Sequence, residues 1–294
     1  MVCAPTNKAV TVVANRLLQA MGGENKTGFN IIMVGDIDKL LETGDDDDPN
    51  TTSPLQSIFI YTWLSNMITK YKAIRQNIIQ SSPLCSGSEA EPDYSEMHSE
   101  ARKLYNELVN RLPITSKGEI AKLSRRVSKD LGQIQDANSE TDDMPGFVAI
   151  DELIERLKEL PKDEVCRELL TSAHVIFCTL ASAGAALFKW TSNVDDLIVD
   201  EASAATESEL YIPFHLKPRR LMAVGDPMQL PATVFSRKAV AMGFDKSLHE
   251  RLMNDLSCPY VMLDMQYRMK PEISTFPSKK FYQGKITDGE NVLW

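Results

Sequence analysis

Two adjacent carboxylates, Asp200 and Glu201, follow the apolar run Leu197-Ile198-Val199. Such a run reads as a short buried strand, so the two acids stand where its carboxyl end meets a ligand crevice. In that place the first acid can hold a nucleotide-bound Mg²⁺ while the second polarises an attacking water. The same residues also suit a plainer arrangement, a strand leading into an acidic helix start, with Glu201, Glu207 and Glu209 favoured by the helix dipole.

A second apolar run, Leu221-Met222-Ala223-Val224, follows after a helix-sized interval and ends in Gly225-Asp226-Pro227-Met228-Gln229-Leu230-Pro231. Two strands with polar, Gly/Pro-rich ends and a helix-sized gap are the sequence pattern of a parallel α/β sheet. Gln229 at such a crevice can contact a γ-phosphate or the attacking water. Arg268, in Gln266-Tyr267-Arg268-Met269, offers a planar fork that suits phosphoryl oxygens, although most arginines are ordinary surface residues.

The elements that must position these residues can be followed from the start of the chain. Met1 to Ala4 reads as a strand. Val10, Val13, Leu17 and Met21 then recur at helical spacing, with Thr6 or Asn7 as the cap and Gly22-Gly23 as the stop. Phe29 to Val34 is a second strand, and the acidic stretch Gly35 to Pro54 a solvated loop. Leu55 to Ile79 is expected as one long helix, with Ile58, Tyr61, Leu64, Ile68, Tyr71 and Ile78 on its apolar face. Met97, Ala101, Leu104, Tyr105, Leu108 and Leu112 mark another helix. Ser116-Lys117-Gly118-Glu119 has capping-box spacing ahead of Ile120, Leu123, Val127 and Leu131. Asn138 to Pro145 is a second acidic loop, and Ile150, Leu153, Ile154, Leu157 and Leu160 form the clearest stripe, stopped by Pro161. Ala173 to Cys178 is again a strand, and the small residues Ala181 to Gly184 after it allow either a ligand or a packed helix to come close.

Composition narrows the function classes. A net charge of −9 over 294 residues argues against a surface that traps nucleic acid everywhere, but charge is uneven. Seven acids and one lysine lie between Asp36 and Asp48, whereas five basic and two acidic residues lie between Leu263 and Lys285. The five cysteines and four histidines are scattered without zinc-ligand spacing, the pattern of a reducing compartment. No apolar stretch is long enough to span a bilayer, and the chain opens without a signal-peptide pattern, so a soluble intracellular protein is expected.

Taken together and in order, these segments resemble superfamily 1 helicases of the Upf1-like group, which includes the Sen1/senataxin type. Asp200-Glu201-Ala202-Ser203 is similar to motif II, and Gly225-Asp226-Pro227-Met228-Gln229-Leu230-Pro231-Ala232 to motif III. Gln266-Tyr267-Arg268-Met269, continued through Phe276 to Lys285, resembles motif IV and its downstream stretch. Ala4-Pro5-Thr6-Asn7-Lys8-Ala9-Val10 resembles motif Ia, and Cys178 to Gly184 the strand end before motif II. The resemblance implies ATP and Mg²⁺ as cofactors, with Asp200 on the metal, Glu201 activating water, Gln229 sensing the γ-phosphate and Arg268 reaching it from a second domain. It also implies that Pro5, Thr6, Asn7 and Thr179 face single-stranded RNA or DNA, held by backbone contacts and stacking without base reading.

The implied fold is α/β, a RecA-like P-loop NTPase core with a parallel sheet, interrupted by a mostly helical insertion and followed by the start of a second RecA-like domain. Residues 1–34 and 171–258 are assigned to the first RecA-like domain, 35–170 to the insertion and 259–294 to the second domain. The insertion is the expected surface for protein partners, and a nuclear location is expected from the Sen1-like resemblance, with the cytoplasm as the alternative. The sequence departs from the family at one point, because no Gly-x-x-x-x-Gly-Lys-Ser/Thr occurs in it. In the family that loop precedes motif Ia, and motifs V and VI follow the region ending at Trp294. The expectation is therefore a helicase fragment that hydrolyses ATP negligibly by itself. The other reading is an inactive helicase-derived module that binds nucleic acid or a protein scaffold.

Overall fold

The computed structural model describes residues 1–21, 30–41, 54–81, 95–111, 114–131, 145–191 and 193–293. The expected stop at Gly22-Gly23, most of both acidic loops, and the residues Leu112 and Pro113 lie outside them. The described chain forms two compact units, one of residues 1–200 with 211–222, the other of residues 201–210 with 223–294.

The first unit is built on a parallel sheet of order β2-β3-β1-β4-β5. Its strands are β1 (Val2–Ala4), β2 (Ile31–Val34), β3 (Val175–Thr179), β4 (Asp196–Val199) and β5 (Arg220–Ala223). Every β2 residue is buried, as expected of a strand covered on both faces. β1 lies between β3 and β4, with Ala4 opposite Thr179 and Cys3 opposite both Cys178 and Val199. Helix α1 (Asn7–Ala20) follows β1 directly, and Thr6 is its cap, accepting the Ala9 N–H at 3.2 Å. Val10, Ala14 and Leu18 of α1 pack with Ile31, Met33 and Phe177 of the sheet. The short helix α2 (Ile37–Leu41) follows β2 and adds Leu40 to this core.

The described residues between β2 and β3 are mostly helical, forming α3 (Trp63–Ser81), α4 (Ser95–Arg111), α5 (Ile114–Leu131), α6 (Pro145–Glu159) and α7 (Lys162–Ser172). α3 packs on α4 and α6, and α5 packs on the same two, so the four close a bundle. Its core has the three-four spacing of amphipathic helices: Trp63, Met67, Tyr71, Ile74 and Ile78 from α3 and Ile150, Leu153, Ile154 and Leu157 from α6.

Two expectations fail at element boundaries. The long helix does not start at Leu55. Residues Pro54–Ile58 form a 3-10 turn, Phe59 bridges Met33, and the Ile60 N–H donates to the Met33 carbonyl at 3.1 Å. The chain is therefore held to the edge of β2 until Trp63, which leaves Tyr61 exposed and replaces Leu64 and Ile68 on the buried face by Trp63 and Met67. Helix α5 begins at Ile114, so Ser116 lies in its first turn and not at its cap. On α5 the buried position is Ser124 where Leu123 was expected, because its hydroxyl meets that of Tyr71 at 2.7 Å inside the bundle.

The second unit has shorter elements. Thr206 and Glu209 form a capping box at the start of α8 (Glu207–Tyr211), with Glu209 Oε2 accepting from the Thr206 N–H at 2.8 Å. Ser236 and Ser247 cap α9 (Arg237–Ala241) and α10 (Leu248–Asn254). Beyond them β6 (Met265–Gln266) pairs in parallel with β7 (Thr287–Asp288), and α11 (Pro271–Phe281) connects the two.

Candidate functional site

β4 delivers the two carboxylates. In the first unit, Asp200 follows the strand directly, its N–H donating to the Cys3 carbonyl at 2.9 Å, so its backbone is fixed by the central strand of the sheet. Glu201 opens the second unit with φ 53° and ψ 36°, in the left-handed region. A residue with a Cβ enters that region at a cost of about 1–2 kcal/mol. The side chain that results is exposed to solvent. The turn is held from behind by the Ala202 N–H on the Val224 carbonyl at 2.8 Å and by Ser203 Oγ on His249 Nδ1 at 2.7 Å.

Gly225 stands directly against this turn. A Cβ there would lie 2.8 Å from both the nitrogen and the Oγ of Ser203, so the glycine answers a close approach of backbone. Asp226 is the centre of the next turn. Its Oδ1 accepts the Met228 N–H at 2.9 Å, and its Oδ2 accepts the Gln229 amide at 3.0 Å and the Tyr282 hydroxyl at 2.6 Å. Burial pushes the Asp226 carboxyl up, but these three donors and the neighbouring His249 outweigh it and hold the group below its ordinary value. Burial, followed by the bond to Asp226, pushes the Tyr282 hydroxyl up to about 12.

Glu201, Ser203, Ala204, Asp226, Met228, Gln229 and Leu230 line one open groove of about 450 Å³ in the second unit. Two of the sequence-derived site residues, Glu201 and Gln229, thus share a pocket. Arg268 belongs to the same unit but is not part of that lining. Its guanidinium is exposed and has no hydrogen bond or ion pair among the described residues. In the first unit Pro5, Thr6 and Asn7 follow β1 next to Thr179 at the end of β3, where the Leu180 N–H donates to the Ala4 carbonyl at 3.0 Å. The Thr6 oxygen caps α1, and the largely buried Thr179 hydroxyl is bonded to Ser182 Oγ at 2.8 Å.

Sequence reasoning gave no role to Asp226, Tyr282, Ser203 or His249. The Asp-Pro-Met-Gln order does carry the signature of a side-chain-capped turn, which makes Asp226 recoverable. Nothing in the spacing marks Tyr282 or His249 as its neighbours.

A family model described as AAA domain matches residues 1–237, and a second of the same description matches residues 244–293. The chain belongs to the AAA-domain family, within the Upf1-like superfamily 1 helicases. It is 38% identical over 135 residues to "Helicase sen1" of Schizosaccharomyces pombe, covering 46% of this chain and 8% of that protein. Against "Probable helicase MAGATAMA 3" of Arabidopsis thaliana it is 42% identical over 131 residues, 44% of this chain and 16% of the relative. Against "ATP-dependent helicase upf1" of S. pombe it is 38% identical over 126 residues, 42% and 13% of the two. The match therefore spans a small part of each relative's length. A helicase of this family uses a nucleotide and a metal ion. At the end of β4, Asp200 and Glu201 offer carboxylate oxygens, the donor type that a hard cation takes.

Proposed function

We propose that this chain forms part of an ATP-driven helicase motor that couples hydrolysis to movement along single-stranded RNA or DNA. The observation that carries the reading is the groove shared by Glu201 and Gln229, because a water-activating carboxylate and a phosphate-sensing amide must face one ligand. Mg²⁺ and ATP, when bound, supply the electrophilic phosphoryl group and the charge that polarises it. Asp200 would hold the metal, from a backbone fixed by β1. Glu201 orients the attacking water and takes its proton. Gln229, with one amide hydrogen on Asp226, keeps its Oε1 and its second hydrogen for the ligand. Arg268 presents its guanidinium to phosphoryl oxygens.

Pro5, Thr6, Asn7 and Thr179 sit at the carboxyl ends of two adjacent strands, the side where open α/β sheets bind ligands, and are assigned to the single strand. In this reading residues 1–34 and 171–258 are the first RecA-like domain, 259–294 open the second, and the mostly helical insertion 35–170 is the surface for protein partners. No helix among the described residues is long and apolar enough to cross a membrane, and we assign the protein to the nucleus, with the cytoplasm as the alternative. The alternative reading is a catalytically inactive module that binds nucleic acid or a protein scaffold.

Titration of the purified chain with a fluorescent ATP derivative separates the two. Binding that requires Mg²⁺ and is weakened in Asp200→Asn is expected of the motor. Binding indifferent to both Mg²⁺ and the substitution counts against it.

A further inference from the structure

The turn that carries Arg268 is bonded mainly by the side-chain amide of Gln266. Gln266 Oε1 accepts the backbone N–H groups of Arg268 at 2.9 Å and of Met269 at 2.7 Å. Its Nε2 donates to the Met269 carbonyl at 2.5 Å and to Asp288 Oδ1 at 2.5 Å. All four valences of the amide toward hydrogen bonding are therefore used. Asp288 is itself fixed: it is the register partner of Gln266 across β6 and β7, and its Oδ1 also accepts the Ser274 hydroxyl of α11 at 2.7 Å. The donors on Asp288, Gln266 first and Ser274 second, hold its carboxyl below the ordinary range, so it is ionised at neutral pH. The Asn291 amide adds a bond to the Tyr267 carbonyl at 3.0 Å. The backbone on both sides of Arg268 is thus pinned while its guanidinium is left to solvent.

A two-residue strand and a tight turn need no fully bonded side-chain amide to form, and a surface arginine needs no fixed base. An arginine that must meet a phosphoryl group does, because its value depends on the fork arriving in one orientation. We infer that Gln266 and Asp288 are a positioning pair that sets Arg268 for a nucleotide phosphate. The inference rests on the reading of Arg268 as a phosphate contact.

The test is a set of Kd values of the full 294-residue chain for a fluorescent ATP derivative with Mg²⁺. Arg268→Ala is expected to weaken binding about tenfold. Gln266→Glu sets a second carboxylate against Asp288 and is expected to cost about as much. In the double variant Gln266→Glu/Asp288→Asn the amide introduced at position 288 donates to the new carboxylate while the Met269 carbonyl stays without its donor, so a partial recovery, to within about fivefold of the wild type, is expected. In the Arg268→Ala background Gln266→Glu has no further effect. If Arg268→Ala leaves the Kd unchanged, the reading of Arg268 fails and the inference with it. If Arg268→Ala weakens binding but Gln266→Glu does not, or the double variant brings no recovery, the positioning role alone is overturned. Should Gln266→Glu fail to fold, Ser274→Ala carries the test: a loss of about threefold with Arg268 present and none without it is expected. An equal effect in both backgrounds, or none in either, overturns the positioning role.

Discussion

The Tyr282 hydroxyl donates to Asp226 Oδ2 at 2.6 Å, on the same oxygen that takes the Gln229 amide at 3.0 Å. The residue just after α11 and the glutamine of the groove therefore share one carboxylate. Tyr282→Phe leaves that oxygen with the Gln229 amide as its remaining donor. The expected loss is about 1 kcal/mol, read as a lower urea midpoint.

The pH range of that loss follows from the two groups. The folded pKa of Asp226 is depressed, so its share of stability is present above its ordinary value and lost as pH falls through the folded one. The folded pKa of Tyr282 is raised, so its share is present below 10.0 and lost as pH rises through about 12. The difference between wild type and Tyr282→Phe is expected to be flat from about pH 5 to pH 9 and to shrink outside that window. Urea titrations across the range check it.

His249 behaves in the opposite sense to a surface histidine. Burial lowers its pKa below 6.5, with Asp226 pulling the other way, and its Nδ1 meets Ser203 Oγ. The fold favours the neutral ring, so stability is complete above pH 6.5 and declines as pH falls toward the folded pKa. His249→Gln is expected to lower stability at neutral pH and to flatten the decline below it, measured as melting temperature against pH.

The helical bundle can be tested apart from the groove. Tyr71→Phe strands the fully buried Ser124 hydroxyl and is expected to cost about 1–3 kcal/mol. Tyr71→Phe/Ser124→Ala removes both partners and is expected to recover most of that loss. Urea unfolding of the two variants decides it.

Gly225→Ala places a methyl group 2.8 Å from the Ser203 backbone nitrogen, where nothing flexible can yield. A loss of about 1–3 kcal/mol is expected, with Glu201 displaced because the same turn carries it. Thermal melting measures the first, and weakened nucleotide binding the second.

Much of the fold was legible because strands and helices announce themselves by period. Leu197 to Val199 and Ala173 to Cys178 read as strands, and the stripe from Ile150 to Leu157 is the buried face of α6. What the pattern did not carry was tertiary. Phe59 is apolar enough for a helix, yet its bridge to Met33 delays α3 until Trp63. Ser124 looks like a surface serine until Tyr71 is found facing it. In the groove, Glu201 and Gln229 were readable from their place at strand ends. Tyr282 was not, since its partner Asp226 lies far away in sequence and only the packing of the second unit joins them.

In the proposed motor, nucleotide chemistry at Asp200 and Glu201 is coupled to single-strand binding. Its most direct test is fluorescence anisotropy of labelled oligo(U) and oligo(dT) with the purified chain, with and without Mg²⁺ and a non-hydrolysable ATP analogue. The single-strand affinity is expected to change several-fold with the nucleotide, and Asp200→Asn to abolish the change. An affinity identical with and without the nucleotide would contradict it.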